Sequence, residues 1–210
     1  MIELFKHLFH LDFDWLFLNY GTMVYVILFL VIFVETGLVI MPFLPGDSLL
    51  FTAGLFANLG YMNIAFLVFL LFIAAVLGDN CNYFIGKNIG LNVFRLKVRG
   101  KNIVKQEYLD KTHSFYEIHG PKMVILARFV PIVRTFAPFV AGIAEMQYRT
   151  FLLFDLLGGA LWIGSLTFAG YFLGQFDLIR LNIEKVTIGI IVVSLLPILL
   201  EFWKARSEKK

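Results

Sequence analysis

Arg128-Phe-Val-Pro131-Ile-Val-Arg134-Thr-Phe-Ala-Pro138-Phe-Val-Ala-Gly142 sets two arginines and two prolines inside an otherwise apolar segment, flanked on both sides by residues suited to lipid. An ordinary spanning helix excludes that combination. Arginine at the bilayer centre costs about 2.5–3.5 kcal/mol on insertion scales, and each proline removes a backbone hydrogen bond. Such a stretch survives at membrane depth only where protein or trapped water surrounds its broken backbone and its charges. It therefore predicts a buried, interrupted helix with the rest of the chain arranged around it.

The surrounding composition agrees. The 210 residues are 60% apolar and include 24 phenylalanines, and the mean hydropathy is +0.82. A soluble domain holds about 45–50% apolar residues, so an integral membrane protein is expected, short enough for one domain. The net charge of +3 is small and gives no reason to expect nucleic acid as a partner. Between positions 87 and 122, eight Lys or Arg residues face only Glu107, Asp110 and Glu117, and the tail adds Lys204, Arg206, Lys209 and Lys210. Both regions are expected in the cytoplasm by the positive-inside rule. Cys81 is the single cysteine, which excludes an intramolecular disulfide. The N-terminus mixes Glu3, Asp12 and Asp14 with aromatics and lacks a small-residue cleavage site, so it is not read as a cleavable signal.

Further from the opening stretch, 1–17 has a helical apolar face with charges between, predicting an amphipathic helix in the interface. Positions 21–41 form an apolar run whose one charge is Glu35, long enough either to span or to form one arm of a hairpin. Met41-Pro-Phe-Leu-Pro-Gly-Asp47 then breaks any helix at Pro42, Pro45 and Gly46. The helix resuming over 48–56 is too short to cross. A clear span is expected over 63–84, and a surface helix within the basic 87–122 segment. A short arm follows over 122–130, ending at Pro131. A second arm over 135–144 carries Pro138, a further candidate break. A glycine-rich span follows over 149–173, then a polar loop over 175–184. A last span is expected over 186–203. Three regions result: 1–20, a core over 21–175, and 176–210.

Sliding the chain by 88 residues brings Phe51-Thr-Ala-Gly54 onto Phe139-Val-Ala-Gly142, and Tyr83-Phe-Ile-Gly86 onto Tyr171-Phe-Leu-Gly174. A proline-broken segment precedes each copy. One full crossing, 63–84, separates them, which inverts the copies with respect to the membrane. The expected fold is an all-α polytopic membrane protein: an inverted repeat of two re-entrant helical hairpins, each followed by a transmembrane helix. An N-terminal amphipathic helix and a C-terminal transmembrane helix complete it. Inverted repeats with discontinuous helices meeting at the midplane are a transporter architecture.

Glu35, Asp47, Arg128 and Arg134 flank the two breaks and form the main candidate site. Uncompensated, four such charges would cost on the order of 10 kcal/mol on the insertion scale. They must pair, reach water or, for the acids, take a proton. Arginine stays charged and its fork matches a phosphate or carboxylate, so Arg128 and Arg134 are expected to bind an anionic substrate. Glu35, with the more apolar neighbours, is expected to carry a proton. Asp47 is expected either to share that role or to cap the helix after the break. Asp79, Tyr83 and Asp155 are secondary candidates, with interfacial residues satisfied by water as the alternative for Asp79. An ion-pair lock that only fixes the hairpins is the alternative for the whole set. His7, His10, His113 and His119 all lie outside the spans, so neither a zinc site nor histidine-based phosphatase chemistry is supported. No phosphate-binding Gly-Lys-Ser/Thr loop occurs. No cofactor, metal or enzymatic activity is expected.

At these residues the chain resembles the DedA family of membrane proteins, which carry the VTT domain. The matching features are Glu35, Phe43-Leu-Pro-Gly-Asp47, Gly78-Asp79 with Tyr83 and Gly86, His119-Gly120, and Arg128-Phe-Val-Pro-Ile-Val-Arg134 running to Ala141-Gly142. The resemblance covers about residues 20 to 175. It implies a lipid transporter or scramblase of the cytoplasmic membrane, dependent on the proton-motive force. For several bacterial members it implies return of undecaprenyl phosphate to the cytoplasmic leaflet. The family's acidic pair and arginine pair fall on Glu35, Asp47, Arg128 and Arg134.

The expected function is therefore a flippase for a phosphate-bearing lipid, undecaprenyl phosphate or a phospholipid, with protons and that lipid as partners. A proton-coupled small-ion antiporter and a non-transporting membrane scaffold are the alternatives. The glycine-rich faces fit packing within one chain or in a homo-oligomer.

Overall fold

A computed structural model describes residues 20–38, 46–90, 97–98, 101–102, 120–176 and 189. The expectations for 1–19, Pro42, Pro45, 103–119 and the C-terminal span lie outside the described residues. Within them the chain is almost wholly helical: α1 Met23–Gly37, α2 Gly46–Asn58, α3 Ile64–Ile85, α4 Lys122–Ala127, α5 Pro131–Ile143 and α6 Tyr148–Leu173. A π-helical turn, Gly86–Gly90, extends α3. A minimal antiparallel pairing joins Lys97–Val98 to Lys101–Asn102 inside the basic segment.

Two helices, Ile64–Asn88 and Tyr148–Leu173, are long and apolar enough to cross a membrane. Asn63 caps the first, its Oδ1 accepting from the Phe66 amide at 3.0 Å. Phe66, Phe69, Leu77 and Phe84 on this helix, and Leu153, Leu157, Leu161, Phe168 and Phe172 on α6, are exposed. Exposed apolar side chains of that kind suit lipid. α1, at 15 residues, is about 22 Å long at 1.5 Å per residue, short of the roughly 30 Å hydrocarbon core.

Two corrections concern the opening stretch. The helix after the break begins at Pro131, not near Thr135, and the break itself is Arg128–Val130. Proline at the first helical position loses no intrahelical bond, and it drives the preceding residue extended; Val130 sits at φ −111°, ψ 110°. Pro131 thus starts a helix rather than interrupting one. Pro138 is no break either, since α5 runs through it; its missing amide costs only the bond to the Arg134 carbonyl.

The chain divides into two compact units: 1–31 with 43–71 and 163–210, and 32–42 with 72–162. In the first, α2 docks on the C-terminal half of α6. Gly54 meets the backbone of Thr167 and Tyr171, where a Cβ would fall on the Thr167 carbonyl, and Gly170 meets the Phe51 carbonyl in the same way. In the second, α5 docks on α3 and its π turn: Gly142 meets Tyr83 and Lys87, and Gly86 meets the Phe139 carbonyl. Without a water-driven force between helices in lipid, such close backbone approach supplies the packing. Phe51–Gly54 and Phe139–Gly142 therefore play the same part. Tyr83–Gly86, however, is matched in these contacts by Thr167–Gly170, one turn before the Tyr171–Gly174 of the sequence repeat.

Candidate functional site

The site is built inside the second unit, where α1, α3, α4, α5 and α6 converge. α1 and α3 approach through Gly37 and Gly78: a Cβ on Gly37 would stand 3.3 Å from the Gly78 Cα, and one on Gly78 would strike the Thr36 hydroxyl. The Thr36 hydroxyl itself donates to the Ile32 carbonyl at 3.0 Å, with the Ala75 carbonyl at 3.4 Å. Asn82 ties three helices together, its Nδ2 donating to the carbonyls of Thr36 at 3.1 Å and Thr135 at 2.7 Å. These bonds hold the backbone next to Glu35 and next to Arg134.

Glu35 on α1 and Arg134 on α5 form a buried ion pair. Arg134 also lies over the Trp162 ring, its guanidinium carbon 4.8 Å from the centroid, within cation–π distance. Arg128, in the break between α4 and α5, pairs with both Asp79 of α3 and Asp155 of α6. Its stem runs along Gly158, where a Cβ would meet Arg128 Cδ at 2.9 Å. All five charged side chains are at least 92% buried, which an unpaired charge could not tolerate.

The sequence-predicted residues therefore divide. Glu35 and Arg134 do meet. Arg128 is compensated not by Glu35 or Asp47 but by Asp79 and Asp155, the two acids ranked as secondary; they are buried ion-pair partners rather than interfacial groups. Asp47 lies in the first turn of α2, where a carboxylate favours the helix dipole, and it belongs to the other unit. Gly46 opens the same helix. Tyr83 is a packing residue: it stacks on Phe151 at 4.4 Å and donates its hydroxyl to the Met146 carbonyl, within a cluster with Val124 and Ala141. Trp162, Thr36 and Asn82 complete the site. Asn82 was legible as a polar residue in a span, whereas nothing in the sequence distinguished Trp162 or Thr36. No group of three or more metal-ligating side chains occurs among the described residues.

Two permanent cations are thus held against three acids among apolar helices. The VTT domain model matches residues 44–172. The protein DedA of Escherichia coli K12 is 52% identical over 185 residues, covering 87% of this chain and 84% of the relative. The chain belongs to the DedA family. An uncharacterized membrane protein of Mycobacterium leprae is 48% identical over 86% of this chain and 80% of its own length. The inner membrane protein YqjA of Escherichia coli K12 is 34% identical over 73% of this chain and 69% of its own. No solved structure matches. The DedA-family assignment makes this chain a membrane protein, and the VTT match takes in Asp79, Arg128, Arg134 and Asp155, while Glu35 precedes it.

Proposed function

We propose that this DedA-family protein carries a phosphate-bearing lipid between the leaflets of the cytoplasmic membrane, as a transporter rather than an enzyme. The observation that carries this reading is the Arg134 guanidinium: buried, always charged, and paired with the Glu35 carboxylate. A phosphate oxyanion is the natural competitor for that place, because it accepts the same fork bidentately. Exchange of one anion for the other keeps the site's charge constant. Glu35 can leave only by reaching water or by taking a proton, so headgroup binding and protonation are linked at one residue. The acyl or prenyl tail stays in lipid while the headgroup is held. Asp47 is a second candidate proton carrier. Arg128 is opposed by two carboxylates, Asp79 and Asp155.

In this reading the α4–α5 segment enters from the cytoplasmic side and returns, and 41–58 does so from the opposite side as its inverted counterpart. The charge bias of the basic 87–122 segment supports that orientation, and the inner membrane protein YqjA, a relative, supports placement in the cytoplasmic membrane.

The test is leaflet exchange of a trace fluorescent polyprenyl phosphate in phosphatidylcholine vesicles holding the purified protein. Arg134→Ala is expected to slow exchange at least tenfold, a loss of about 1.4 kcal/mol in the transition state. Arg134→Lys keeps the charge but not the fork and is expected to fall between. Exchange at the wild-type rate by Arg134→Ala overturns the assignment, and lipid-independent proton or cation flux would favour the antiporter reading instead.

A further inference from the structure

We infer that Asp79 and Asp155, clamped on Arg128, form a one-proton site separate from the Arg134–Glu35 pair. One nitrogen of Arg128, Nη2, donates to Asp79 Oδ2 and to Asp155 Oδ1. Two acceptors on one nitrogen are within about 6 Å of each other, twice an ordinary N–O hydrogen-bond length. Carboxylates at that separation do not both stay ionised without a second positive charge.

Among the described residues, no second cation is paired with these two carboxylates. The buried charged groups that the helices of this unit carry are few. α1 brings Glu35 and α5 brings Arg134, and these neutralise each other. α3 brings Asp79, α6 brings Asp155, and the break after α4 brings Arg128. Lys87, Lys122, Glu145 and Arg149 are exposed, and Lys97 and Lys101 lie in the short strand pairing of the basic segment. With every acid ionised, the buried set of three carboxylates and two guanidiniums carries one negative charge too many, and an uncompensated buried charge costs several kcal/mol.

A second observation points to the occupant. Among the described residues, Asp155 Oδ2 has no hydrogen-bond partner although its residue is fully buried. A vacant lone pair beside an excess negative charge is where a cation binds. Two carboxylates already sharing a guanidinium offer too few oxygens, and too much nearby positive charge, for a metal ion. A proton needs only one oxygen. It adds from water to the Asp79–Asp155 pair, leaving one carboxylate, one carboxylic acid and Arg128⁺, a neutral clamp. The five buried groups then balance with one proton bound, and loss of that proton returns the extra charge.

This site rests on the transport reading only for its consequence: the proton would set a pH-dependent limb of lipid exchange, which Asp155→Asn flattens by fixing the clamp neutral. The site itself is tested without transport. Infrared difference spectra of the purified protein in nanodiscs, recorded around neutral pH, are expected to show the carbonyl band of a protonated carboxylic acid. Glu35→Gln is expected to retain it. Asp79→Asn and Asp155→Asn each balance Arg128 with the remaining carboxylate, so each alone is expected to remove it; having two such variants guards against one failing to fold. Absence of the band from the wild type, its persistence in either Asp variant, or its loss in Glu35→Gln overturns the inference. Failure of wild-type lipid exchange with the band behaving as expected would reject the transport reading and leave the proton site standing.

Discussion

The two units are built on one docking contact and differ in what they bury. α2 meets α6 through Gly54 and Gly170 as α5 meets α3 through Gly142 and Gly86, each glycine against a backbone carbonyl of the facing helix. Yet every buried charged side chain among the described residues, Glu35, Asp79, Arg128, Arg134 and Asp155, belongs to the second unit; the first buries only the hydroxyls of Ser48, Thr52 and Thr167 as polar groups. Among the described residues, the docking of the first unit stands without buried ions. Ion pairs inside a protein seldom stabilise it more than well-packed apolar residues would. Among the described residues, the charge in the second unit is an addition to the docking that the two units share.

The sharpest way to break this comparison is to unbalance the charged unit. Arg128→Ala leaves Asp79 and Asp155 facing each other without their shared cation. Removing one partner of a buried ion pair costs about 3–5 kcal/mol, so a large fall in the thermal midpoint of the purified protein is expected. Arg128→Ala combined with Asp79→Asn and Asp155→Asn should recover much of it, because no uncompensated charge remains. A single variant as stable as the wild type would mean that the clamp is not dry, and the contrast between the units would lose its basis.

Much of this second unit was legible from residues alone, and the reason is scarcity. Arginine and proline are rare in apolar segments, so Arg128, Pro131 and Arg134 announced a break and a site without any alignment. Glu35, the one charge in its run, was legible in the same way and proved to meet Arg134. Asp79 and Asp155 were undervalued because their meaning depends on a partner 49 and 27 residues away, which no local period reports. Proline was read too simply: its cost inside a helix suggested breaks at Pro131 and Pro138, whereas the first position of a helix accepts it freely. The repeat misled by one turn. α2 runs four residues past Gly54 where α5 runs one past Gly142, and the loop after α2 is one residue longer than the loop after α5. Together they displace the following span by a helical turn, so Thr167–Gly170 takes the place that Tyr171–Gly174 matches in letters.

A smaller effect asks whether the docking contacts are as equivalent as they look. Gly54→Ala and Gly142→Ala each drive a Cβ into a carbonyl of the facing helix, with no side chain there to yield. Overpacking of this kind costs about 1–3 kcal/mol, and the two variants are expected to lose similar stability in the same thermal assay. Gly164→Ala, at a position with nothing within 4 Å of a Cβ, should leave the midpoint unchanged or slightly raised, since alanine is the better helix former. If Gly54→Ala proved neutral while Gly142→Ala did not, the first unit would not be docked as the second is.

The smallest expected effect bears on the polar groups that the uncharged unit retains. Among the described residues the hydroxyls of Thr52 and Thr167 are buried without a hydrogen-bond partner, whereas that of Thr36 in the charged unit has the Ile32 carbonyl at 3.0 Å. An unsatisfied buried hydroxyl costs about 1–3 kcal/mol, and a satisfied one contributes about 0.5–1.5. Replacement by valine keeps the shape and removes the hydroxyl, so it should act with opposite sign in the two units. Thr52→Val and Thr167→Val are expected to raise the thermal midpoint or leave it unchanged, and Thr36→Val to lower it slightly. A clear loss on either substitution in the first unit would mean that its hydroxyls hold something in the membrane, and that the uncharged half is not merely scaffold.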